Sequence, residues 1–242
     1  MKIKLLSDLH LEFYKNPEKV IEGLFTPNVD VLVLAGDVAV GLKNVETALW
    51  QFAAQYNQVI YVPGNHEYYN TNLNILDMIS LPKNVRMLNP NSVKIGDITF
   101  IGASLWTNFN NNPLAQETAR SFINDFRVIK DFTPYKCKEL FNYHSSYIKQ
   151  AYEAIPGKKI IVTHFLPAVA CISPRFRNEG LLNYYFANNM DGWIDSLNNV
   201  PYWFFGHTHD QVDVTIGETR LIANPYGYPR ENTSLSKEIY EV

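Results

Sequence analysis

The stretch Val29-Asp30-Val31-Leu32-Val33-Leu34-Ala35-Gly36-Asp37 decides the fold. Its apolar residues run on rather than alternate, as in a strand covered on both faces, and it stops at a Gly-Asp turn. Outward from it, Lys2–Leu6 and Val59–Val62 have the same aliphatic, β-branched character. Pro17–Phe25 and Asn44–Tyr56, between these runs, carry helical spacing. The β-α-β-α-β order predicts a parallel sheet core in an α/β fold.

Further strands are expected at Val93–Ile95, Ile98–Ile101, Lys159–Val162, Tyr202–Phe205, Val212–Ile216 and Thr219–Ala223. Gly96-Asp97 and Gly217-Glu218 are two-residue turns between such runs, so they predict hairpins and a mixed sheet system. From Ala115 to Tyr152 the chain reads as helices. Phe122, Phe126, Ile129 and Phe132 recur at helical intervals, as do Leu140, Tyr143, Tyr147 and Ala151, which predicts two core-facing stripes. No repeat, linker or charge block divides the sequence, and one domain over 1–242 is expected.

Composition narrows the class. With 21 basic against 24 acidic residues, the net charge of -3 gives no footprint for general nucleic-acid binding. Cys137 and Cys171 form no C-x-x-C pair, which argues against a disulfide scaffold or a zinc ribbon. The opening residues make a poor signal-peptide core and no apolar run is long enough for a membrane span, so a soluble cytoplasmic protein is expected. The 25 asparagines cluster at Asn70 to Asn74, Asn108 to Asn112 and Asn188-Asn189, and predict turns and helix ends. Asn232-Thr233-Ser234 matches a glycosylation sequon, read as chance in a chain without an export signal.

The chemistry lies at the strand ends. Lys2–Leu6 runs into Ser7-Asp8-Leu9-His10, and Val29–Leu34 into Ala35-Gly36-Asp37. Val59–Val62 runs into Pro63-Gly64-Asn65-His66-Glu67, Lys159–Val162 into Thr163-His164, and Tyr202–Phe205 into Gly206-His207-Thr208-His209. Five apolar runs each deliver a metal-capable side chain just past their carboxyl ends, the edge where α/β sheets build their sites. Each fragment alone reads more readily as a turn or a hydrogen-bonded histidine than as a ligand. Together they gather carboxylates and imidazoles whose burial without a cation would be costly. Seven donors, Asp8, His10, Asp37, Asn65, His164, His207 and His209, suit two ions. With no cysteine among them, the nitrogen and oxygen donors fit manganese, iron, cobalt, nickel or zinc. Two such ions about 3.5–4 Å apart would hold a bridging water of lowered pKa as nucleophile and clamp a phosphoryl group.

The order D-x-H, G-D, G-N-H-E, strand-His and G-H-x-H, from Asp8 to His209, resembles the calcineurin-like metallophosphoesterases. The resemblance implies two mixed β-sheets packed as a sandwich flanked by helices. It implies one metal, manganese foremost, on Asp8, His10 and His209, a second on Asn65, His164 and His207, and Asp37 as the bridge. His66 is then not a ligand but a residue turned to the substrate, where it could protonate the leaving oxygen. Glu67 would orient a ligand, and His144, outside the motifs, is structural.

The motifs act on the phosphoryl group and leave the rest of the substrate open. A small phosphodiester or phosphomonoester, including a nucleotide, is the leading expectation, because the chain carries no basic excess. A nuclease of the same superfamily is the alternative, and a non-catalytic scaffold comes last because no ligand is missing. Selection would fall to Asn108–Asn112, Ala168–Tyr185 and the Asn224–Pro229 segment with Tyr226 and Tyr228. Arg175 and Arg177 could reach phosphate or sit solvated, Tyr68 and Tyr69 could stack a base or pack, and Arg127 could pair with Asp131.

Overall fold

The structure, a computed structural model, describes residues 1–231 and 235–242, and the Asn232-Thr233-Ser234 sequon lies outside the described residues. Its strands are β1 Lys2–Leu6, β2 Val31–Ala35, β3 Gln58–Val62, β4 Val85–Met87, β5 Asn91–Ile95 and β6 Ile98–Ala103. They continue with β7 Lys159–Thr163, β8 Tyr202–Phe205, β9 Val212–Ile216, β10 Thr219–Ala223 and β11 Tyr240–Glu241. One mixed sheet has the order β11-β1-β2-β3-β4 and the other β5-β6-β7-β8-β10-β9. The strands β1 to β4 are mutually parallel, as are β6, β7, β8 and β10, so each sheet gathers its carboxyl ends along one edge.

The sheets pack face to face, and strand periodicity explains how. Ile3, Leu5, Val31, Val33, Ile60 and Val62 of the first sheet meet Phe100, Ile160, Val162, Phe204 and Ile222 of the second. The intervening residues Leu6, Leu32, Leu34 and Tyr61 turn outward against helices α1 (Pro17–Gly23) and α2 (Leu42–Gln55). On the far side, Ile101, Ile161, Trp203 and Phe205 meet α3 (Pro113–Phe122), α5 (Pro134–Ala154) and α7 (Asp191–Asp195). Two short helices, α4 (Asp125–Val128) and α6 (Asn183–Phe186), complete this layer. Central strands are therefore buried on both faces, which is why Val31–Ala35 reads as a continuous apolar run. Helix α2 buries Val45, Leu49 and Phe52, each worth about 1.5–3 kcal/mol against exposure.

The hairpins form as expected, with Ile95 opposite Ile98 and Ile216 opposite Thr219. Asparagine serves turns: Asn28, Asn70, Asn110, Asn111 and Asn199 have left-handed φ, and Asn112 caps α3 through the backbone N–H groups of Leu114 and Ala115. The helical region differs from expectation. The Phe122–Phe132 stripe is broken, because Ile123 and Ile129 are extended, and Phe122 is 72% exposed. Along α5 the buried face is Cys137, Phe141, His144, Ile148 and Ala151, whereas Tyr143 of the expected stripe is exposed. Tyrosine carries a polar tip that suits a wet surface, so an aromatic stripe alone placed the helix about one residue out of phase. The strands β4 and β11 were not apparent in the sequence. Both are short, and β11 is held by pairing with β1 across the length of the chain.

Candidate metal centre

The carboxyl ends of both sheets meet at one place, and the loops leaving them are stitched together. The Asp8 N–H donates to the Gly36 carbonyl at 3.0 Å, His10 N–H to Asp37 at 3.0 Å, and Gly206 N–H to His164 at 3.0 Å. Turning the loops after β1, β2 and β8 this tightly strains the backbone. Asp8 (φ 51°), His10 (45°), Asp37 (54°), His207 (65°) and His209 (49°) are all left-handed, a conformation that costs non-glycine residues energy and clusters at functional sites. Glycines give the remaining room. A Cβ on Gly36, itself at φ +89°, would lie 2.2 Å from His164 Nδ1, and one on Gly64 would lie 2.2 Å from Asp37 Oδ1.

Two groups of donors result. Asp8, His10, Asp37 and His209 each place one donor atom within 4.8 Å of the others, and so do Asp37, His164 and His207. Asp37 belongs to both. Its Oδ2 lies 3.7 Å from His10 Nε2 and its Oδ1 3.5 Å from His164 Nε2. Asn65 Oδ1 approaches the same His164 Nε2 at 3.1 Å. His10 Nε2 and His209 Nε2 face one another at 2.9 Å, and His207 Nε2 is buried without a hydrogen-bond partner. Buried imidazole nitrogens aimed together, with carboxylates between them, form a donor set that fits divalent cations.

A surrounding shell fixes these side chains. Asp8 accepts hydrogen bonds from the His207 backbone N–H at 2.8 Å and from Ser7 Oγ at 2.5 Å. His164 Nδ1 pairs with the Ala35 carbonyl and His209 Nδ1 with Glu231, which leaves each Nε2 facing inward. Glu67 is fully buried and accepts from the backbone N–H groups of Gly64, Val38 and Asp37. It thus clamps two motif loops through their main chains rather than orienting a ligand side chain. Asp125, also buried, accepts from Asn65 Nδ2 at 3.1 Å, from Tyr69 Oη at 2.7 Å and from the Tyr185 hydroxyl. Glu12 Oε1 lies 2.9 Å from His66 Nδ1, and the Tyr69 ring stacks on His66 at 4.1 Å.

Charge and burial compete throughout this cluster. Burial opposes the Asp37 charge, yet the fields of His164 and His66 hold its carboxyl well below the usual range. His164 is correspondingly lifted to about 10: burial disfavours its cation, but Asp37 outweighs burial. His66 rises to about 9, with burial again overcome by Asp37 and Glu12. Burial opposes the Glu12 charge, but the neighbouring His10 and His66 imidazoles outweigh it and hold Glu12 at about 2. Burial and the His164 charge push His207 well down, while burial and Asp37 lift Glu67 to about 7. Away from the cluster, burial alone lowers His144 to about 3, and its Nδ1 accepts from the Leu105 N–H, a structural role.

A cleft of about 610 Å³ opens over the centre, with Asp37, Asn65, His66, His207 and His209 among the residues lining it. Its far wall comes from the Phe122–Asp125 turn and the 172–186 segment. All eight strand-end residues predicted from sequence converge here; Arg177 and Tyr68 do not serve it. Arg177 is exposed off the cleft wall, and Tyr68 is buried with Asn89 hydrogen-bonded to its hydroxyl. Arg175 lies on the wall but its Nε pairs with Asp210 at 2.6 Å. Arg127 donates to the Ser121 carbonyl instead of pairing along a helix with Asp131, because α4 ends at Val128. Four acids and aromatics at the site, Glu12, Asp125, Tyr185 and Glu231, were not singled out for a site role. Only Glu12 had a sequence signal, two residues after His10.

Residues 1–211 match the model of the calcineurin-like phosphoesterases, and the chain belongs to that family of phosphoric ester hydrolases. Protein L509 of Acanthamoeba polyphaga mimivirus is 27% identical over 98% of this chain and 95% of its own length. The fold is shared with phosphopantetheinyl hydrolase from Mycobacterium tuberculosis (TM-score 0.74, 18% identity, 95% of this chain and 90% of that one). It is also shared with a dimetal phosphatase from Danio rerio (TM-score 0.55, 15% identity, 94% and 88%). The family implies a centre of divalent metal ions, and the His/Asp cluster fits one. No helix among the described residues is long and apolar enough to cross a membrane.

Proposed function

We propose that this chain hydrolyses a small phosphodiester or phosphomonoester over two divalent ions, manganese foremost, with His66 as proton donor to the leaving oxygen. The observation that carries the reading is the membership of Asp37 in both donor groups. In it, Asp8, His10 and His209 hold one ion, Asn65, His164 and His207 the other, and Asp37 spans both. Bound there, the ions supply Lewis acidity toward phosphoryl oxygens and an activated water as nucleophile.

The chain's own residues do the rest. Glu12 fixes His66 through Nδ1, so that Nε2, 4.0 Å from Asp37 Oδ2, carries the proton available to a substrate in the cleft. Asp125 accepts only, so it can bond the amide nitrogen of Asn65 but not its oxygen, which turns Oδ1 toward His164. Asp125 is a positioning residue in this reading. A small substrate is favoured over long nucleic acid by the cleft wall, where Arg175 is the only Lys or Arg among the described lining residues and is paired. The two free, buried cysteines suit a reducing cytoplasm, and β11 closing onto β1 supports reading 1–242 as one domain.

Chelation should abolish hydrolysis of a chromogenic phosphodiester or phosphomonoester, and Mn²⁺ should restore it with two equivalents bound by calorimetry. A purified chain that binds two ions and hydrolyses no phosphate ester would overturn the reading.

A further inference from the structure

Resting on that hydrolase reading, we infer that the cleft selects a phosphoester whose organic arm is uncharged and largely apolar, held along the 172–186 segment. The floor of the cleft is polar, whereas its wall sets a run of carbon side chains among polar ones. Ile172, Phe176, Leu182 and Phe186 are half-buried along it, Leu166 lies beneath, and Phe122 stands 72% exposed at its edge. Side chains of this kind facing a cleft that is continuous with His66, His207 and His209 gain by being covered when a ligand binds.

Charge points the same way. A polyphosphate or polynucleotide needs cations beyond the metal centre. Here the Arg175 guanidinium is tied to Asp210 and lies over the Phe176 ring at 4.3 Å. Glu179, Glu231 and Asp125 add carboxyl groups to the lining. A second phosphate along this wall would meet acids, whereas an alkyl or aromatic body would meet carbon. At about 610 Å³ the space suits one compact arm rather than a polymer. An aliphatic chain and a flat ring share the chemistry this wall recognises, and the experiment separates them.

The test uses the Mn²⁺-loaded full chain and a non-hydrolysable series: methyl-, butyl-, hexyl- and phenylphosphonate, with ADP and a short oligodeoxynucleotide as polyanions. Each is measured as a competitive inhibitor of phosphodiester hydrolysis and, independently, by calorimetry. Affinity should rise at least tenfold from methyl- to hexylphosphonate, with the polyanions weaker than hexylphosphonate. Phenylphosphonate tighter than hexylphosphonate would assign the wall to a ring, and the reverse to a chain. The wild-type series needs no variant. Phe176→Ser and Leu182→Ser, checked for folding by circular dichroism, should flatten it. A flat wild-type series, or tighter binding of ADP or the oligonucleotide, would overturn this inference while leaving the hydrolase reading intact. Absence of any ester hydrolysis would instead remove the hydrolase reading.

Discussion

The floor and the wall of the cleft are built by opposite means. The floor comes from strand ends, where most donor residues are buried, several are left-handed, and most polar atoms are committed to a neighbour. The wall comes from short turns and helices between residues 122 and 186, largely half-exposed, with apolar side chains interleaved with polar ones. A phosphoryl group common to many substrates calls for fixed geometry, and a rigid sheet edge supplies it. The part of a substrate that varies is met by loops, which change without disturbing the core. If that division is right, floor substitutions should damage every substrate alike and wall substitutions should change preference.

The sharpest break is Asp37→Ala. Its loss should lower kcat on the order of 10³-fold for any ester, and calorimetry should show fewer than two Mn²⁺ equivalents. Two equivalents with full affinity would dissolve the idea of a shared bridge.

Asp125 lies where floor and wall touch, so Asp125→Ala tests the seam. One Mn²⁺ equivalent should bind about 10–100-fold more weakly while the other is unchanged. Weakening of both, with a lowered Tm, would show that Asp125 is structural. Asn in its place, which keeps an acceptor for the Asn65 amide, should restore part of the loss.

Glu12→Gln tests how the floor holds a proton. His66 serves as an acid only when protonated, so the rate falls as pH rises through its pKa. Burial lowers that pKa, and the hydrogen bond and charge of Glu12 work against burial. Removing the Glu12 charge should therefore move the alkaline limb of the kcat profile to lower pH, most visibly for poor leaving groups. An unmoved limb would separate His66 from proton transfer.

The smallest effect is expected on the wall at Arg175→Ala. An exposed pair with Asp210 contributes under about 1 kcal/mol, and kcat/KM for simple phosphate esters should hold. A drop on the order of 10²-fold would make Arg175 a phosphate-contacting residue and move it to the floor's account.

The floor was legible in the sequence residue by residue and the wall only as the Ala168–Tyr185 stretch, for a physical reason. Sheet sites draw their residues from fixed offsets past apolar runs, so Asp8, Asp37, Asn65 and His164 could be placed by counting from strand ends. His207-x-His209 was legible for the same reason. Asp125 is brought to Asn65, and Tyr185 to Asp125, by tertiary packing across 60 residues in each case, and nothing local marks them. Glu231 reaches His209 from a turn in the same non-local way. The aromatic stripes misled because tyrosine and phenylalanine serve core, surface and cleft alike. Phe122 read as core and stands at the cleft edge.

The left-handed backbone at Asp8, His10, Asp37, His207 and His209 also bears on how such a chain can change over time. Each of these residues costs about 1–2 kcal/mol in that conformation, and glycine would not. Drift to glycine at any of them would relax the backbone and at the same stroke delete a donor. The gain is clearest at His207, whose side chain holds no backbone, and a descendant with glycine there should be harder to unfold than its active ancestor, unless the ancestor is measured with its ions bound. Selection for catalysis and selection for folding pull against each other at the same five positions.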